Sequence, residues 1–95
     1  MDPDLPECMI ADVVISTAGR DAGKLFYVIE SDGTWLTLVN GKDRTLERPK
    51  RKKQKHTRYL LRPDTRVSEK LRKGENVLNS ELRRDLAYLS NTIGG

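Results

Sequence analysis

Two stretches hold residue types able to do chemistry: Gly19-Arg20-Asp21-Ala22-Gly23-Lys24, and Arg48-Pro49-Lys50-Arg51-Lys52-Lys53-Gln54-Lys55-His56. In the first, two glycines permit positive φ and let backbone N–H groups approach a phosphate or base edge. Arg20 and Lys24 bring charge to the same loop, and the planar fork of Arg20 suits phosphate oxygens or stacking on a base. In the second, Arg48, Lys50, Arg51, Lys52, Lys53 and Lys55 place six cations within eight residues. A polyphosphate relieves their mutual repulsion and releases counterions. Pro49 stiffens the start of the run, so less disorder is lost on docking. His56 is able to stack on a base or touch a phosphate, and Arg58 extends the charge. The plain alternatives are a tight turn with no ligand and a solvated charged loop. A nuclear-localisation signal is a further reading of the run, disfavoured by its place between strands.

Charge along the chain is segregated behind a formal net value of +4. Residues 1–47 carry four Lys/Arg against nine Asp/Glu, residues 48–62 eight against none, and residues 63–95 six against five. Such blocks point to a polyanionic partner meeting one region. With 95 residues and five aromatics, a single domain with a modest core is expected, and no deep small-molecule pocket. One histidine and one cysteine offer no nucleophile–base pair and no metal-ligand spacing. No Walker loop is present either, so neither an enzyme nor a bound cofactor or metal is expected. Cys8 is the single cysteine, which rules out an internal disulfide. Asp12 interrupts the apolar Met9-Ile10-Ala11, and no membrane-spanning run exists. The expected location is cytoplasmic.

The elements that must position these residues are short. Residues 1–9, with Pro3 and Pro6, read as a loose lead-in. Ile10–Ser16 holds three successive β-branched residues and reads as a strand, followed by the Gly19–Gly23 loop. Leu25–Ser31 and Thr34–Val39 flank Asp32-Gly33, the signal of a two-residue hairpin. That register sets Glu30 opposite Trp35, Ile29 opposite Leu36, Val28 opposite Thr37 and Phe26 opposite Val39. Leu25, Tyr27, Ile29, Leu36 and Leu38 then share one face, and Phe26, Val28, Trp35 and Val39 the other. Both faces are apolar, which suits a strongly bent sheet. Asn40-Gly41 predicts a second hairpin into a strand over 42–46, ended by Pro49. Arg58–Leu61 supplies a last strand. Trp35 is expected in the core, whereas Tyr59, beside Arg58, is open to either packing or stacking.

Residues 63–95 change period. Asp64 or Thr65 caps a helix through Lys73, with Val67 and Leu71 on one face and Gly74 as its stop. Asn79 or Ser80 caps a second helix with Leu82, Leu86 and Leu89 on one stripe, and Glu81 complements its dipole. A helix-turn-helix is a rival reading, weakened by the long link Gly74–Leu78 and by mixed charge. An amphipathic cap over an open barrel edge is favoured.

Val13 to Ile29, centred on Ala18-Gly19-Arg20-Asp21-Ala22-Gly23-Lys24, resembles the KOW motif, a β-loop-β element with a glycine in its loop. Together with Asn40-Gly41-Lys42 and Pro49-Lys50-Arg51-Lys52-Lys53 leading to Lys55-His56, residues 10–60 are similar to small bacterial KOW-domain RNA-binding proteins. Those are related to archaeal and eukaryotic large-subunit ribosomal proteins of the fourteen-e and twenty-seven-e types. The resemblance implies a mainly β fold, a small SH3-like five-stranded barrel over 10–62 that includes the basic segment 48–58. Two short helices over 63–95 would extend it. It also implies binding of structured ribosomal RNA, as a ribosomal or ribosome-associated protein of translation. The expected contacts are Gly19, Arg20, Gly23, Lys24, Arg48, Lys50, Arg51, Lys52, Lys53, Lys55, His56 and Arg58. Two rivals stay open: a protein-interaction module of the transcription or translation machinery, and a nonspecific nucleic-acid binder.

Overall fold

The computed structural model describes residues 8–93. Five antiparallel strands form one sheet: β1 (Val13–Ser16), β2 (Leu25–Ser31), β3 (Trp35–Val39), β4 (Lys50–Lys53) and β5 (Thr57–Leu61), in the order β4-β3-β2-β1-β5. Two helices follow, α1 (Arg66–Lys73) and α2 (Asn79–Ile93). No helix among the described residues is long and apolar enough to cross a membrane.

The two edge strands are joined only by a 3₁₀ turn over Gln54–His56. In a flat five-stranded sheet the edges lie roughly 19 Å apart, at about 4.8 Å per strand. Three residues rising about 2 Å each cannot bridge that gap. The sheet is therefore strongly curled, with β4 and β5 drawn toward each other at one end.

The expected hairpin register is wrong by two residues next to the turn and by one beyond a bulge. Tyr27 faces Val39 and Val28 faces Leu38, and a bulge at Ile29 then sets Glu30 against Thr37 and Ser31 against Leu36. The Asp32 side chain accounts for the slip: its Oδ1 accepts the N–H groups of Thr34 (3.0 Å) and Trp35 (2.7 Å), and its own N–H donates to the Trp35 carbonyl (3.2 Å), which moves the turn on to Gly33-Thr34. A one-residue shift exchanges faces. Val14, Phe26, Val28, Leu36 and Leu38 consequently form one core cluster with Cys8. Val13, Tyr27 and Val39 join Val67, Leu82, Leu86 and Leu89 in the other, beneath the helices. The helices thus pack over Val13, Tyr27 and Val39 on one face of the sheet. Of the expected loose lead-in over 1–9, residues 1–7 lie outside the described residues. Cys8 is buried in the core.

The strand expected over 42–46 does not form. Asn40 Oδ1 instead accepts from the Lys42 and Arg44 N–H groups at 3.0 Å, turning the chain back on itself. This loop is sewn to α2: Arg83 donates to the Gly41 carbonyl (2.6 Å) and Leu46 N–H to Asn79 Oδ1 (2.9 Å). Asn79 is therefore occupied outside its helix, and the first turn of α2 is closed by Glu81 accepting the Leu78 N–H. Thr65 caps α1 through the Ser68 N–H, and Gly74 ends it in the left-handed region, as the sequence suggested. Lys70 and Glu81 join the two helices at 3.0 Å.

Gly41 sits at φ +77°, and a Cβ there would lie 2.2 Å from the Asn79 carbonyl oxygen. Gly23 sits at φ +87°, and a Cβ there would meet no atom within 4 Å. Gly23→Ala should cost about 1–2 kcal/mol from backbone strain alone. Gly41→Ala should cost at least about 1 kcal/mol more, because the loop must part from α2. Urea unfolding of both variants checks this contrast.

Candidate nucleic-acid interface

The basic run is itself a strand. Pro49 precedes β4 rather than ending a strand, and β4 pairs with β3 through Leu38–Lys50, Thr37–Arg51, Leu36–Lys52 and Trp35–Lys53. Strand side chains alternate between faces, so four consecutive cations divide into two pairs. Lys50 and Lys52 point to the glycine loop; Arg51 and Lys53 point to Trp35.

Lys52 is buried at 7% exposure. Its ammonium donates to Ser16 Oγ (2.8 Å), the Ala18 carbonyl (2.6 Å) and Asp21 Oδ1 (2.7 Å), which uses all three protons. Lys50 Nζ lies 3.4 Å from Asp21 Oδ2. Burial pushes the Asp21 carboxyl upward, but hydrogen bonds from Lys52 and Ser16 and the charges of Lys52 and Lys50 outweigh it and hold the group at about 2. Lys52 therefore has no proton left for a phosphate and acts as the clamp of the loop.

The loop is closed by its own backbone as well. Gly23 N–H donates to the Ser16 carbonyl at 2.8 Å, so it is not free for a ligand as the sequence suggested. Gly19 and Gly23 take φ of +82° and +87°, which explains the residue type at both turns. Arg20 and Lys24 are exposed on the loop, Lys24 in an ion pair with Asp43 at 2.8 Å.

The far end of the basic segment meets the same loop. Thr17 N–H donates to the His56 carbonyl at 2.9 Å, and Ser16 pairs with Thr57 and Ile15 with Arg58. Lys55, His56 and Arg58 are exposed there, as is Arg48 before β4. Chain segments some 35 residues apart are thus brought into contact, with the glycine loop on one side and the β4–β5 junction on the other. His56 contributes through its backbone, with its side chain in solvent.

Trp35 is the residue that sequence reasoning misplaced. It is 37% exposed rather than in the core. The Arg51 guanidinium and the Lys53 ammonium lie 5.2 and 5.5 Å from its ring centroid, a cation–π arrangement. Asp21 and Ser16 were also missed as clamp residues. Reading Lys50–Lys53 with strand alternation would have exposed the demand for an acid opposite Lys52, and Asp21 is the acid within the loop.

Lys52→Ala leaves the buried Asp21 carboxylate with only the more distant Lys50 ammonium and should destabilise by up to about 3–5 kcal/mol, whereas Lys55→Ala should stay within about 0.5 kcal/mol. The depressed Asp21 value also sets a pH dependence. Its stabilisation is complete above the unfolded value of 3.8 and is lost as pH falls through about 2. Between pH 5 and 2 the native chain should therefore lose on the order of 2 kcal/mol that an Asp21→Asn variant does not lose, measurable by urea unfolding across that range. Compared with known proteins, the chain matches no family model and no curated protein.

Proposed function

We propose that this chain is a non-enzymatic, cytoplasmic RNA-binding protein that docks structured RNA, ribosomal RNA foremost, on the surface formed by the glycine loop and the β4–β5 junction. The observation that carries the reading is the joining of these two segments through Lys52, Asp21 and the Thr17–His56 hydrogen bond. Electrostatic attraction to phosphates supplies affinity. Arg20, Lys24, Arg48, Arg51, Lys53, Lys55 and Arg58 are the contact cations, and Lys50 and Lys52 hold the glycine loop against β4. The exposed ion pairs Lys24–Asp43 and Arg51–Asp32 are weak and exchange readily for phosphate. An SH3-like barrel of the KOW type is the fold this reading implies. The strand order, the three-residue link between edge strands and the KOW-like loop support it.

Binding to ribosomal RNA fragments should weaken steeply with salt. Replacing Arg20, Lys53, Lys55 and Arg58 together with alanine should flatten the log–log slope by about three units, on roughly 0.7–0.9 per phosphate contact. A native slope near zero would remove the mechanism. Capture of a protein partner that survives nuclease treatment, with no RNA affinity, would favour an interaction module instead.

A further inference from the structure

We propose that the groove beside Trp35 takes an unpaired nucleobase from a single-stranded stretch of RNA. This inference rests on the RNA-binding reading above and adds a stacking site to its electrostatic surface. The groove is open, about 990 Å³, and lies between residues 8–10, the end of the β2–β3 hairpin and Arg51 on β4. Ligand sites of this volume are common for small molecules and single nucleotides.

Burial is the ordinary fate of a strand tryptophan, because its large ring contributes most there. Here Leu36 and Leu38 are fully buried while Trp35 stays 37% exposed, attended by Arg51 and Lys53. Met9 and Ile10, 56% and 43% exposed, supply an apolar wall to the same groove. The cations differ in their freedom. Arg62 is held by two hydrogen bonds to the buried Asp12 (2.8 and 3.2 Å), and Arg72 donates to the Pro63 carbonyl. Arg51, beside the Trp35 ring, is otherwise held by the exposed pair with Asp32 at 3.6 Å, a contact of little energy.

These features select among occupants. Glu30 and Asp32 also line the groove and offset the charge of its arginines, so a bare phosphate gains little there. A base is uncharged, has an apolar face for Trp35, Met9 and Ile10, and carries its phosphate at one side, where Arg51 and Lys53 stand. An aliphatic peptide side chain would fill the apolar wall and leave those cations without a partner. A duplex hides its base faces and cannot stack. The arrangement is that of single-strand binding sites, an aromatic platform beside a cationic track.

Trp35 is the only tryptophan of the chain, so its fluorescence reads the site directly. The full chain is titrated with a single-stranded adenylate oligomer, a blunt RNA duplex of equal phosphate number, and inorganic polyphosphate. The oligomer should quench Trp35 emission, whereas duplex and polyphosphate should bind without comparable quenching. Trp35→Ala should weaken oligomer binding roughly ten- to a hundred-fold and leave polyphosphate binding unchanged. Trp35→Phe keeps a stacking ring and should retain most of the affinity. It also serves as the decisive variant if thermal unfolding shows that Trp35→Ala does not fold. Oligomer binding without quenching, or equal losses for oligomer and polyphosphate, overturns the stacking site and leaves the electrostatic reading standing. Failure to bind any of the three polyanions removes both.

Discussion

A lysine ammonium taken out of water must find acceptors for every proton and an opposite charge close by, and the Lys52–Asp21 pair meets that demand across the width of the sheet. Lys52 belongs to the edge strand β4, and Ser16, which shares the contact, to β1 three positions away in the sheet. In a flat sheet those strands would be about 14 Å apart. Contact at 2.8 Å therefore requires curvature, and the ion pair and the curl of the sheet depend on each other. Such a pair adds little net stability over an apolar substitute, because desolvation offsets attraction. Its effect is to hold β4 against the glycine loop; the register itself is set by the β3 pairing, since a slip of one residue would only bring Arg51 or Lys53 into the place of Lys52.

The opposite face of the sheet is closed by a second polar contact. Tyr27 projects from β2 beneath the helices, and its hydroxyl donates to Asp85 of α2, which also accepts from Thr65 at the start of α1 at 2.9 Å. Burial, reinforced by the Asp85 carboxylate, pushes the phenol well above its ordinary range, so it remains a donor at any physiological pH. The three side chains fix both helices to the sheet around Val39, Leu82, Leu86 and Leu89. The glycine loop and the β4–β5 junction lie away from that contact, and Trp35, on the same face of β3 as Val39, stays 37% exposed beyond it.

Much of this architecture was legible in the residue order. The β-branched and aromatic runs of β1, β2, β3 and β5 placed those strands within a few residues. The Leu82-Leu86-Leu89 stripe, the Thr65 cap and the Gly74 stop placed the helices. Two misreadings share one cause, side chains competing with local backbone rules, and a third comes from tertiary pairing. Asp32 captures two N–H groups and moves the turn from Asp32-Gly33 to Gly33-Thr34. Asn40 captures two more and abolishes the strand that Asn-Gly would otherwise begin. Lys50–Lys53 has poor intrinsic strand preference, and pairing with β3 overrides it. The candidate site was legible as composition, a glycine loop and a cationic run. Its division of labour was not, because period-two alternation becomes visible only once the run is known to be a strand.

The central claim is that the loop and the β4–β5 junction act as one RNA-facing surface, and amide chemical shifts followed during titration with a ribosomal RNA fragment test it most directly. The account predicts concerted shifts at Gly19, Arg20, Lys24, Lys53, Lys55 and Arg58 that fade together as salt is raised, with α2 quiet. Shifts confined to α1 and α2, with the loop and the junction unmoved, would contradict it.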